Sequence, residues 1–100
     1  MQSIGALRAL RPDSRHVVAL RALSHADRLR VFFLIVKARG ELRPEELKRA
    51  SGISGPTLSR HLDLLRRSGL LGSRREGRFI HYSVRRELVS DLVRLLTACC

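Results

Sequence analysis

A chain of 100 residues makes one small domain, and at this size it buries only about 65% of its unfolded surface, so further burial in a dimer stabilises it. Twenty Lys and Arg against nine Asp and Glu leave a net charge of +11, which favours a polyanionic partner. With 4% aromatics and no Trp, single strands stacked on aromatic rings are a poor fit, and no apolar run reaches the ~18 residues of a membrane span.

Residues 1–12 show little periodicity and read as an N-terminal arm. They lack the continuous apolar stretch of a secretory leader, so a cytoplasmic protein with reduced thiols is expected. A single domain is predicted over residues 13–98. Asp13 or Ser14 caps a first helix running to about Leu23, with Val17, Val18 and Leu20 on its apolar side. Ser24 caps a second helix, Asp27 complements its dipole, and Leu29, Phe32, Phe33 and Val36 follow helical spacing until Gly40. Residues 41–43 suit a short strand. Pro44 suits the first position of a third helix, with Leu47 and Ala50 facing inward.

The turn at Ser51, Gly52 and Ile53 leads to Ser54, placed to cap a fourth helix that tolerates Pro56 in its first turn. Leu58, Leu62 and Leu65 line its apolar face, and Gly69 stops it. Strands over residues 70–75 and 78–84 flank Glu76-Gly77, a tight hairpin signal, with Phe79 and Tyr82 on opposite faces. A last helix over residues 85–98 carries Leu88, Val89, Leu92, Val93, Leu95 and Leu96. That is more than one stripe, so it is expected to pack on its own core and on another subunit.

The fourth helix sets a polar front against its leucines. Gly55 and Pro56 are small enough for close backbone approach, and Thr57, Ser59, Arg60 and His61 sit in the first two turns, where a recognition helix meets base edges. Arg60 suits a guanine and Thr57 a phosphate or a thymine methyl. Arg74, Arg75 and Arg78 around Gly77 make a basic finger for the phosphate backbone or minor groove. Each feature also has a plainer reading: a solvated helix face, and an edge hairpin that uses charge against aggregation. Side by side they favour double-stranded DNA. A basic protein that binds nucleic acid without an operator is the alternative.

Residues 22–30, with Ala22-Leu23-Ser24-His25-Ala26-Asp27-Arg28-Leu29-Arg30, resemble the opening segment of ArsR/SmtB metalloregulators. Residues 54–62 resemble their recognition helix, and Gly69-Leu70-Leu71 with residues 75–82 resemble their wing. The resemblance spans residues 22–82. It implies a mainly α fold with a small β-hairpin, about five helices, and a winged helix-turn-helix homodimer joined through its first and last helices. It also implies a repressor that leaves its operator when an inducer binds.

Family members often carry a cysteine pair at the start of the third helix, where this chain has Glu41-Leu42-Arg43-Pro44 and no cysteine. Others use an Asp-x-His spacing on the last helix, where Asp91 is followed by Leu92 and Val93. His16, His25, His61 and His81 lack ligand spacing. The two cysteines, Cys99 and Cys100, follow the last helix and resemble the arsenical-responsive branch. Soft thiolates select soft ions, so trivalent arsenic, organic or inorganic, or antimony is the expected inducer at this pair. A third ligand for the inorganic ions comes from the partner subunit, a small thiol or water. A redox-sensing repressor and a cysteine tail without a sensory role stand as alternatives. No nucleophile sits beside a recognisable base, so no enzyme and no obligatory cofactor is expected.

Overall fold

The computed structural model describes residues 11–98. Most of the expected arm, and Cys99 and Cys100, lie outside the described residues. Five helices and one hairpin run in the order α1 (Ser14–Leu23), α2 (Ala26–Ala38), α3 (Pro44–Ser51), α4 (Gly55–Arg67), β1 (Leu71–Glu76), β2 (Phe79–Val84) and α5 (Arg86–Leu96). This is the winged helix-turn-helix that the sequence predicts, with α3 and α4 as the helix-turn-helix and β1–β2 as the wing.

Local chemistry sets the boundaries. Asp13 caps α1 by accepting the Arg15 N–H at 2.9 Å. Ser24 closes α1 rather than opening α2, because its N–H and its hydroxyl both donate to the Arg21 carbonyl, at 3.2 and 2.7 Å; His25 takes the N-cap place of α2. Arg39, one residue ahead of the expected Gly40, ends α2 in the left-handed region with φ 57°. Pro44 opens α3 as predicted, and Glu46 reaches back to accept the Arg43 N–H at 3.0 Å. The strand expected over residues 41–43 reduces to Leu42, which exchanges both backbone hydrogen bonds with Tyr82, at 2.9 and 2.8 Å. Glu76 pairs with Phe79, so the hairpin loop is Gly77-Arg78, one residue later than expected. Gly77 takes φ 60° at the first loop position, where a side chain is strained.

The core gathers around α2, which packs on α1, α3, α4 and β2. Val31 and Ile35 of α2, Leu47 of α3, Leu58, Leu62 and Leu65 of α4, and Leu70 and Leu71 at the hairpin base are fully buried. The leucine stripe of α4 is thus where the spacing placed it, and Tyr82 packs on the core while Phe79 is exposed. Of the residues expected to face inward, Ala50 does not, and the apolar residues of the outer helices are open to a partner. Val17, Val18, Leu20, Leu29, Phe33 and Val36 face outward. In α1 the inward face is His16, Ala19 and Ala22, whose small alanines let α1 lie close against α2. His16 is tolerated there because both ring nitrogens are bonded. The Asp13 N–H donates to Nδ1 at 2.9 Å, so the proton sits on Nε2 and is donated to the Asp91 carboxylate at 2.5 Å. This bond ties α1 to α5 and holds the Asp91 carboxyl below the usual carboxylate range.

Candidate nucleic-acid interface

Gly52, at φ 73°, breaks the chain direction after α3, and buried Ile53 anchors the turn into the core. Ser54 holds the N-cap position of α4 without capping a backbone N–H; its hydroxyl donates to Thr57 Oγ1 at 3.0 Å instead. The first amides of α4 therefore keep their donor capacity at the positive end of the helix dipole, an arrangement suited to a phosphate. The Lys48 Nζ lies 4.0 Å from where a Cβ on Gly55 would stand. The Lys48 cation therefore stands directly beside the head of α4.

Behind this head, Pro56, Thr57, Ser59 and Arg60 are exposed on one side of α4, and Gly55 is half-buried. Asp63, one turn on, is occupied by Arg66 at 3.0 Å and Arg67 at 2.8 Å. Arg60 makes no ion pair among the described residues, so its guanidinium is available to a ligand.

His61 departs from expectation. It is only 6% exposed and is not on the reading face. Position 61 lies three residues after Leu58 and four before Leu65, which places it on the core stripe. Its ring tilts against that of His25, with centroids 4.9 Å apart, and neither nitrogen has a hydrogen-bond partner among the described residues. Burial, reinforced by nearby His25 and Arg28, pushes its pKa down, so it stands neutral at physiological pH.

The wing separates its three arginines. Arg74 is clamped to Glu41 by two hydrogen bonds, at 2.8 and 3.0 Å, and lies 3.7 Å from Glu76. That clamp lowers the Glu41 pKa and raises that of Arg74. Arg75 and Arg78 are exposed and make no ion pair among the described residues. The Phe79 ring carries the guanidinium of Arg78 at 5.7 Å and that of Arg43 at 5.1 Å from its centroid. The wing thus presents Arg75 and Arg78, with Arg74 neutralised by Glu41, while Arg43 beside it is paired with Glu46 at 3.5 Å.

Lys48, Arg43 and the Glu41 clamp were not read from the sequence. Basic residues at the end of the helix before a recognition helix were a usable signal for Lys48; nothing local predicts a pairing between positions 41 and 74. Among the described residues, no group of three or more His, Cys, Asp or Glu is arranged to hold a metal ion, and no helix is long and apolar enough to cross a membrane.

Residues 23–74 match a helix-turn-helix domain family. The chain is 34% identical over 77 residues to the HTH-type transcriptional regulator YgaV of Escherichia coli, covering 77% of each. It is 37% identical over 71 residues to an arsenic resistance transcriptional regulator of Pseudomonas putida, covering 71% of this chain but 55% of that one. Among solved structures, it is similar to a homodimeric winged helix-turn-helix DNA-binding domain from Mycobacterium bovis, described as a possible ArsR-family regulator. The TM-score is 0.69 and the identity 30%, over 98% of this chain and 86% of that one.

Proposed function

The chain belongs to the ArsR family of winged helix-turn-helix transcription regulators, and from that premise we propose that it represses transcription as a homodimer on double-stranded operator DNA. One observation carries the reading. The head of α4 exposes Thr57, Ser59 and Arg60 beside Gly55, Pro56 and Lys48, and the wing offers Arg75 and Arg78, which make no ion pair among the described residues. Thr57, Ser59 and Arg60 meet base edges in the major groove. Lys48, the α4 amides, Arg75 and Arg78 meet phosphates.

The outward apolar residues of α1 and α5, with Val17 50% and Leu96 61% exposed, form the two-fold contact. The operator is then an inverted repeat with half-sites about 34–36 Å apart, one DNA turn. Trivalent arsenic, organic or inorganic, or antimonite bound by Cys99 and Cys100 releases the dimer. The pair follows α5, and α5 is fastened to α1 through His16 and Asp91. A bridged pair thus acts on the contact that sets the spacing of the two α4 helices, and coupling of about 1–3 kcal/mol changes occupancy about 5–150-fold. The name of the Pseudomonas putida relative points to arsenic.

The test is fluorescence anisotropy on labelled operator under reducing conditions. Preference for an inverted repeat over scrambled DNA supports the regulator; binding that ignores sequence overturns it. Phenylarsenite should release wild type, and Cys99→Ser with Cys100→Ser should abolish release while leaving DNA binding intact. Release of the double variant by arsenicals moves the sensor elsewhere, and release of wild type by oxidant alone replaces the metalloid reading with a redox one.

A further inference from the structure

A cleft of about 940 Å³ opens between the first turns of α1 and α5 and the seam where α4 gives way to β1. Its size falls within the range of small-molecule sites, about 300–1,000 Å³. Arg15, Arg67, Arg74, Arg85, Arg86 and Arg94 line it, against two acids, Glu87 and Asp91. Four of these arginines are engaged: Arg15 with Asp13, Arg67 with Asp63, Arg74 with Glu41 and Arg94 with Asp91. Arg85 and Arg86 make no ion pair among the described residues.

Arg85 stands at the base of the wing, its backbone tied to the seam after α4. Its N–H donates to the Leu70 carbonyl at 2.9 Å, and its side chain lies across Gly72, where a Cβ would stand 3.6 Å from Nε and 3.7 Å from Cγ. Its side chain thus runs along the base of the wing, and no carboxylate among the described residues pairs with it. The hydroxyl of Ser83 lies beside it, 3.8 Å from that same Cβ position.

We propose that this cleft binds a phosphate-bearing anion, with Arg85 and Arg86 as its principal cationic contacts. The fork of a guanidinium suits a phosphate bidentately, and two adjacent forks suit a doubly charged group. Such a ligand is either a free phosphorylated small molecule or a phosphate of the DNA backbone. The location gives binding a consequence. The cleft joins the last turn of α4, the base of the wing and the start of α5, and Gly69 at its seam packs so tightly that a Cβ would stand 3.1 Å from Leu88. A ligand drawn in between these elements acts on the recognition helix and the dimer helix together. The inference uses no cysteine, so it stands or falls apart from the metalloid reading.

The probe is sodium pyrophosphate, titrated by calorimetry and amide NMR into the full chain at fixed ionic strength. Saturable binding with a dissociation constant of about 1 mM or tighter is expected, with shifts at Gly69, Gly72 and Arg85. Arg85→Gln with Arg86→Gln should weaken it about tenfold or more; Arg86→Gln alone, at an exposed side chain, repeats the test without touching the Gly72 contact. If the source is a free ligand, the double variant keeps the wild-type salt dependence on operator, and pyrophosphate shifts operator affinity in wild type only. If the source is DNA, the double variant loses about 0.9 of salt slope per lost contact, and pyrophosphate competes with operator. Non-saturable binding, equal effects from sulfate, or equal pyrophosphate binding by wild type and both variants overturns the proposal.

Discussion

Glu41→Gln tests whether the charge of the wing is set by pairing inside the protein. Glu41 holds Arg74 through two hydrogen bonds, at 2.8 and 3.0 Å, and so withholds one cation per protomer from DNA. Each phosphate contact contributes about 0.9 to the slope of log affinity against log salt. Arg75→Ala or Arg78→Ala removes one contact per protomer, so the slope of the dimer should flatten by about 1.8. Between 50 and 200 mM salt that is a change of about 3.5-fold per contact, or about 12-fold per dimer. Arg74→Ala should leave the slope nearly unchanged, and Glu41→Gln should steepen it by up to about 1.8 as Arg74 is freed. Folding is a poor alternative explanation, because the pair is exposed and such pairs contribute about 0–1 kcal/mol; the thermal midpoint should hardly move. The assay is anisotropy on labelled operator across a salt series. If Arg74→Ala flattens the slope as much as Arg75→Ala does, the clamp opens on DNA and the reasoning fails.

Arg60→Ala should cost about 1–3 kcal/mol on operator and little on random DNA; equal losses on both, in competition titrations, would remove its reading role. The folded-state pKa of His61 is depressed by burial, so its contribution to stability is complete above the unfolded value of about 6.5 and is lost as pH falls through the window below it. Urea midpoints at neutral and mildly acidic pH should therefore differ more for wild type than for His61→Gln; identical pH dependence would clear His61. His16→Ala removes the buried ring that joins α1 to Asp91 and should lower the urea midpoint, and an unchanged midpoint would show the α1–α5 bond to be dispensable.

What the sequence made legible was what local spacing decides. The α4 leucines recur at three and four residues, Pro44 and Asp13 sit at helix starts, and Gly77 marks the hairpin; all hold in the structure. His61 was misread for a reason that lies in the same spacing. Its chemistry suits a DNA contact, but its position between Leu58 and Leu65 puts it inside, and position outranks residue type when one face of a helix is sealed. The Arg74 clamp was not legible, because positions 41 and 74 meet only once Leu42 has paired with Tyr82. The three wing arginines looked equivalent in sequence; tertiary pairing separates them.

Spacing is silent on what covers the apolar face of an outer helix. Helical spacing placed Val17, Val18, Leu20, Leu29, Phe33 and Val36 on apolar faces, and all six stand outward; Ala50, expected inward, does too. Periodicity reports which positions of a helix are apolar; it does not report whether its own chain or a second one covers them. In α1 the own-chain face goes to Ala19 and Ala22, because only small side chains allow close approach to α2, and the branched residues are left to the other side. On α5, Leu92 is buried while Val93, 53% exposed, points away. The two faces should therefore respond differently to the same insult. Val93→Asp or Leu20→Asp should give a folded monomer with weakened operator binding, since it puts a charge only where the partner would lie. Leu62→Asp should unfold the chain, since an unpaired carboxylate in the core costs several kcal/mol. Light scattering and circular dichroism separate these outcomes. If Val93→Asp and Leu20→Asp both remain dimeric at micromolar concentration, the outward residues of α1 and α5 are not the subunit contact.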